Sequence, residues 1–290
     1  MAFDMETQDP DDALTLCILA THPEVRLRAV TVNPGSRAQI GIVRHLLERL
    51  ERSDVRVGAG RPDHPKRCVS GFHYRWLGEV SEADADGLAA DVLREAHQAS
   101  GGALRIVTGG PLTNVAAFLN AGSPEVLGIT VQGGFAGDSV VPEEHRLGKF
   151  MGKETCPTFN LNGDVRAAFK VLDYGNFGMR RLVSKNVCHG VAWGPEMHER
   201  MTPLKDQYAG LSLVWEAMDL YLARKERGKL LHDPLAACAA IDPFIIRFAE
   251  VEVYRERGEW GSRLKDGTGT FISTALDRPR FERVLAGLPG

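Results

Sequence analysis

The sequence predicts an α/β protein: an open, mostly parallel sheet flanked by helices. Three observations predict it. By Val57 the chain has already read β-α-β-α-β, the order that builds parallel strands with right-handed crossovers. Its apolar runs are short and end in Gly, Pro or acidic clusters, as buried strands do. With 290 residues, 43% hydrophobic and 25% charged, the chain is long enough for one large core. No internal repeat, low-complexity segment or linker divides it, so residues 1–290 read as a single domain.

The elements follow in order. Only Met1 to Phe3 precede Asp4, so the first strand is either trimmed or contributes little pairing. Asp9 suits a helix N-cap, Pro10 its first position, and Asp11 and Asp12 its positive end; the helix runs to about Thr21. Val25 to Asn33 reads as a strand, Ser36 as the cap of a helix through about Leu50, and Val55 to Val57 as a short strand. Gly58 to Gly78 reads as a loop holding His64 and His73. A helix from Glu82 to Gln98 and a strand from Ala103 to Val107 follow. Gly110-Pro111 opens a helix to about Asn120, and Val126 to Gln132 is a strand. Residues 135–158 read as a long polar loop closing over a site. Val165–Leu172 is a helix, Arg181–Val187 a strand, Leu204–Arg227 a long helix and Leu235–Ile241 a short apolar one. Ala249–Tyr254 and Thr270–Ser273 are strands, and a helix lies near Phe281–Leu285.

The net charge of −3 gives no electrostatic case for nucleic-acid binding, and no apolar run approaches membrane-spanning length. The five scattered cysteines, without CxxC spacing, read as reduced thiols of a cytoplasmic protein. Two faint nucleotide motifs fail. Gly148-to-Glu154 is one residue short of a phosphate loop and places glutamate where a hydroxyl should hold Mg²⁺. Gly58-Ala59-Gly60 has Asp63 in the third glycine's place.

The densest chemistry lies at the start. Asp4, Glu6, Asp9, Asp11 and Asp12 put five carboxylates within nine residues. Two like charges about 4 Å apart repel by roughly 4 kcal/mol at an effective dielectric of about 20. Helix capping accounts for Asp9 and one neighbour. It does not account for Asp4 and Glu6, which precede the cap and share a strand face. A bound cation offsets such crowding. Pro10, Pro111 and Pro234 each suit the first position of a helix, and those helix N-termini would point donors into one crevice.

With these residues in view, the chain resembles the inosine–uridine nucleoside hydrolase family. The carriers, in the family's order, are the acidic loop Asp4 to Asp12 and Gly110-Pro111-Leu112-Thr113-Asn114. Gly133-Gly134 with Phe159-Asn160 and His232-Asp233-Pro234 follow. The resemblance implies a nucleoside hydrolase-like α/β fold and a Ca²⁺-dependent N-glycosidase that releases ribose and a free base. It implies a small nucleoside-like substrate, a role in nucleoside salvage, and a homo-oligomer, dimer or tetramer. Carried over by motif, the metal ligands are Asp12, the Thr113 carbonyl and Asp233, with Asp9 or Glu6 completing the set. Asn160 and Asp12 would hold the sugar, His232 would contact or protonate the leaving base, and His73 would contact the base.

Three departures from the family's pattern matter. The acidic loop is one residue longer than the family's, so Glu6 takes the catalytic aspartate's place when aligned from the strand, and Asp9 when aligned by role. Asn33-Pro34 replaces a Gly-Asn strand end, and Thr158 replaces a glutamate; both positions touch sugar recognition. The long loop holds Arg146, Lys149 and Lys153, which fits a substrate with an anionic or bulky 5′ group. A second reading is a catalytically inactive nucleoside-, ribose- or calcium-binding protein of the same fold.

Overall fold

A computed structural model describes residues 1–225 and 227–290. The chain opens with β1 (Ala2–Met5), α1 (Pro10–Thr21), β2 (Ala29–Val32), α2 (Arg37–Arg49), β3 (Arg56–Ala59), α3 (Gly71–Leu77), β4 (Gly87–Leu88) and α4 (Ala89–Ala99). It continues with β5 (Arg105–Thr108), α5 (Thr113–Asn120), β6 (Gly128–Gln132), β7 (Thr155–Cys156), α6 (Phe159–Gly163) and α7 (Val165–Leu172). Next come β8 (Arg180–Val183), α8 (Lys185–Cys188), β9 (Ala192–Trp193), α9 (Pro195–Met201), α10 (Ala209–Leu222), β10 (Lys229–Leu230) and α11 (His232–Ile241). The strands β11 (Ile246–Glu256), β12 (Glu259–Leu264) and β13 (Thr270–Leu276) precede the closing helix α12 (Arg278–Leu285).

Among the described residues the main sheet has eleven strands in the order β4-β3-β2-β1-β5-β6-β8-β13-β11-β12-β7. From β4 to β13 neighbours run parallel; β11, β12 and β7 add an antiparallel edge. The open, mostly parallel sheet is therefore as the sequence predicts.

β1 corrects one expectation. It is short but central, pairing Asp4 with Thr31 on one side and with Thr108 on the other. All four of its residues are buried, so it needs no length to be held. From β1 the chain winds outward to β2 and later, on the other side, to β5. That makes the β1/β5 boundary the switch point where α/β sheets bind ligands, beyond the carboxyl ends of the strands.

Local chemistry explains the elements that flank this point. Asp9 caps α1, accepting from the Asp11 N–H, with Pro10 at the first position. Ser36 and Gln39 form a reciprocal capping box on α2. α1 is buried almost all round because α10, α11 and α2 pack against it as well as the sheet. Each such fully buried Leu or Ile contributes about 1.5–3 kcal/mol.

Other boundaries differ from the sequence reading. The region 58–78 contains α3, and the helix expected from Glu82 starts only at Ala89. The helix expected over 204–227 is shorter at both ends: a 3₁₀ turn at Thr202–Leu204 comes before it, α10 spans Ala209–Leu222, and residue 226 lies outside the described residues. Pro10 alone of the three prolines opens its helix. Pro111 lies before α5, and Pro234 is the third residue of α11. The loop 135–158 is built around its own small core of Phe135, Phe150 and Cys156. No described helix is long and apolar enough to cross a membrane. Among the described residues all five cysteines are free thiols.

The packing of α10 on α1 depends on Gly210. A Cβ there would lie 1.9 Å from the Cys17 carbonyl oxygen. Gly210→Ala is expected to cost about 1–3 kcal/mol through overpacking. Urea denaturation checks it; an unchanged midpoint would show that the helices separate freely.

Candidate active site

Three strand ends meet at the switch point: Met5 of β1, Thr108 of β5 and Gln132 of β6. They floor a pocket of about 380 Å³ lined by Glu6, Asp9, Asp11, Asp12, Asp233 and, opposite, Gln132, Asn160 and His232. Asp4 lies just beneath. It accepts from the Thr31 hydroxyl at 2.6 Å and the Asn114 amide at 2.8 Å. Burial pushes its pKa up to about 7.

The carboxylates fall into two groups. Asp11 is fully engaged. One oxygen lies 3.1 Å from Lys229 Nζ; the other accepts from the His232 and Asp233 N–H groups at 3.1 and 3.3 Å. Asp11 thereby ties the start of α1 to the start of α11. Asp9 shares the same ammonium at 2.8 Å while capping α1. Lys229 is itself buried. Burial works against its charge, but Asp11 and Asp9 outweigh that and hold its pKa above the usual range. Burial also works against Asp9, yet the bond from Asp11 and the charge of Lys229 leave its pKa lowered.

The second group has no cation. Asp12 Oδ1 accepts from the Glu6 N–H at 3.0 Å, and Asp233 Oδ1 is buried with no partner among the described residues. Asp11, Asp12 and Asp233 each bring an oxygen within 4.8 Å of the others. Burial pushes Asp12 and Asp233 well above the ordinary carboxylate range, helped by the charge of Asp233 on Asp12 and of Asp11 on Asp233. Gly109 leaves the space between them: a Cβ would lie 2.7 Å from Asp12 Oδ1 and 2.9 Å from Asp233 Cγ. Crowded all-oxygen donors, an orphaned buried oxygen and a backbone held clear by glycine fit a hard cation. Among the described residues Lys229 is the one basic side chain paired with this cluster, and it reaches neither Asp12, Asp233 nor Glu6.

The opposite wall is a hydrogen-bond relay. Asn160 Nδ2 donates to the Gly109 and Gln132 carbonyls, both at 3.0 Å, and to Gln132 Oε1 at 2.8 Å. That leaves Asn160 Oδ1 as its unengaged atom. Gln132 Nε2 in turn donates to Cys188 Sγ at 3.5 Å, and Sγ lies 3.0 Å from His232 Nδ1. Burial pushes the Cys188 thiol up to about 12, so it stays S–H. Burial, helped by Lys229, lowers His232 to about 4.

The structure thus brings together Glu6, Asp9, Asp12, Asn160, His232 and Asp233 of the residues expected from sequence. It corrects three others and one role. Thr113 is exposed at the start of α5, its hydroxyl donates to Asp164, and its carbonyl points down the helix; the Thr108–Gly109 turn lies against the acids instead. His73 is fully buried in α3 and bonds the Thr7 carbonyl at 3.1 Å, so it braces the acidic loop and cannot touch a base. Asn33 donates to the Pro111 carbonyl at 3.1 Å and stays out of the pocket lining. Asp9 is committed to Lys229 and to its helix cap, which disfavours it as a metal ligand. Two of the three expected helix N-termini, those of α1 and α11, converge. Lys229, Asp11 and Gln132 were not among the site residues expected from sequence, Asp11 having been read as suiting the positive end of its helix. Lys229 closes the charged run 224–229 just ahead of His232-Asp233, so nothing in the sequence set it apart from its basic neighbours.

With this geometry in place, comparison with known proteins is informative. The model of the inosine-uridine preferring nucleoside hydrolase family matches residues 1–283. The chain belongs to that family. It is accordingly an N-glycosyl hydrolase of the nucleoside type. The chain is 30% identical over 262 residues to the pyrimidine-specific ribonucleoside hydrolase RihA of Salmonella schwarzengrund, covering 83% of this chain and 79% of that one. It is 29% identical over 268 residues to an uncharacterized protein of Aquifex aeolicus, covering 89% and 88%. Among solved structures, the purine-preferring ribonucleoside hydrolase of Gardnerella vaginalis superposes with a TM-score of 0.70 at 18% identity, covering 99% and 96%. That last likeness shows the fold alone. In this nucleoside hydrolase the oxygen cluster is a set of candidate metal-binding groups.

Removing Lys229 would leave Asp9 and Asp11 buried without a counter-charge. Lys229→Met is expected to lower the stability of metal-free protein by about 3–5 kcal/mol. Denaturation in EDTA checks this. Equal stability would mean that the pair contributes nothing net.

Proposed function

We propose that this nucleoside hydrolase cleaves the N-glycosidic bond of a ribonucleoside with Ca²⁺ bound at the oxygen cluster. The unpartnered Asp233 Oδ1 beside Asp12, with Gly109 holding space between them, carries the reading. Asp12 and Asp233 would hold the ion, with Glu6 and the Thr108–Gly109 backbone as neighbours. When bound, a hard divalent cation supplies positive charge that grips sugar hydroxyls and acidifies water.

The protein's own residues account for the rest. Glu6 faces the pocket and is not held by Lys229, which favours it over Asp9 as the base. It takes a proton from the attacking water as that oxygen bonds C1′ and the C1′–N bond breaks. The sugar passes through an oxocarbenium-like transition state. Asn160 Oδ1, its amide locked by Gln132, accepts from a sugar hydroxyl. His232 has Nδ1 turned to Cys188, leaving Nε2 to bond the departing base. A base released with its electron pair is stabilised by such a hydrogen-bond donor; His232 is lowered to about 4 and stays neutral, so the base takes its proton from water.

Ribose release from a panel of nucleosides, with Ca²⁺ or with EDTA, tests the proposal. Release that needs Ca²⁺ and falls at least about 10³-fold in Asp233→Ala is expected. Release undiminished by EDTA would contradict the metal's part. No release, with thermal stabilisation by Ca²⁺ retained, would favour a binding protein of this fold.

A further inference from the structure

The acidic pocket has a basic rim. Lys149, in the turn Gly148–Phe150, and Lys185, the first residue of α8, both lean on Phe150. Their ammonium nitrogens lie 4.9 and 5.9 Å from its ring centroid. Phe150 is buried and meets His189 edge-on, with ring centroids 5.4 Å apart. Lys149 Nζ also lies 2.5 Å from His189 Nδ1. His189 in turn lies 4.7 Å, ring to ring, from His232, a wall of the pocket. Lys185 Nζ donates to the Pro157 carbonyl at 3.0 Å, just ahead of Phe159 and Asn160 on the pocket's other lip.

Two ammonium groups are thus gathered on one patch beside the pocket. Among the described residues neither is paired with a carboxylate, whereas Lys229 inside the pocket has two. Uncompensated like charges held together cost energy and form a ready anion site. His189 adds a donor rather than a charge. Its Nδ1 accepts from Lys149, so its proton sits on Nε2, and burial with Lys149 and Lys185 nearby keeps it neutral down to about 3. The sequence reading grouped Lys149 with Arg146 and Lys153. The structure separates them: Arg146 turns back onto its own loop, donating to the Val141 and Asp138 carbonyls at 3.0 and 2.8 Å, and Lys153 is exposed on the turn beyond.

We propose that Lys149, Lys185 and His189 form an anion subsite on the pocket rim, and that the substrate is a ribonucleoside carrying a phosphate or carboxylate. The proposal rests on the hydrolase reading above for the reaction, and on the rim's own geometry for the anion. A neutral sugar diol suits the oxygen cluster once it holds a cation. An anionic group would be repelled there and suits the lysines.

The test compares uridine and inosine with their 5′-phosphates and with orotidine, which carries a carboxylate on the base. The full-length protein is used with Ca²⁺. Affinity is read by calorimetry alongside kcat/KM. An anionic substrate is expected to be favoured by about tenfold or more over its neutral parent. That ratio should fall toward one in the Lys149→Gln/Lys185→Gln double variant and persist in Lys153→Gln. Preference for the phosphates places the anion on the sugar; preference for orotidine places it on the base. No preference in either readout, or one untouched by the double variant, overturns the subsite. Absence of turnover counts against the hydrolase reading instead, while calorimetric preference for the anionic compound still decides the rim.

Discussion

Like-charge repulsion at the carboxyl end of β1 is the constraint on which the rest depends. The central strand delivers Asp4 and Glu6, the first turn of α1 adds Asp11 and Asp12, and α11 adds Asp233. In a buried setting such groups must be paired, hydrogen-bonded or protonated. The fold deals with them unequally. Asp4 is given Thr31 and Asn114, and Asp9 and Asp11 are given Lys229 and backbone N–H groups. Asp12 is given one backbone N–H, that of Glu6, and Asp233 Oδ1 has no partner among the described residues beside the space kept by Gly109. That asymmetry is what makes the acidic cluster a candidate cation site.

Sheet order makes the asymmetry possible. Because β1 lies between β2 and β5, the loops after β1, β5 and β6 open on one crevice. The acidic loop, the Gly109 turn and Gln132 therefore face one another directly, and Asn160 joins them after the long loop 135–158. The two walls differ in kind. One gathers carboxylates. The other is a neutral chain of donors from Asn160 through Gln132 and Cys188 to His232. Beyond His232 and the neutral His189 the sign reverses at Lys149 and Lys185. A ligand lying across the pocket meets all three environments in turn.

Features with a local cause were legible in the sequence. Capping by Asp9 and Ser36 fixed α1 and α2, and the amphipathic run of α7 matched to the residue. Asp12, Asn160, His232 and Asp233 carried motif signals of their own. α3 was missed because a seven-residue helix shows too little period to stand out from its Gly- and Pro-rich surroundings. The helix over 204–227 was overextended at both ends, since the polar residues flanking α10 carry no Gly or Pro to mark where it stops. Lys229 could not be placed from sequence, since its partners lie more than two hundred residues away. His73 and Thr113 matched by position, yet tertiary packing turned one into a brace and left the other on the surface.

The central claim is that Asp12 and Asp233 are left free for a cation while Lys229 occupies their neighbours. Calorimetric titration of metal-free protein with Ca²⁺ tests it most directly. The expected result is saturable binding of a single ion per chain, lost in Asp12→Asn. Absence of binding by the wild type, or binding of equal affinity in that variant, would contradict it.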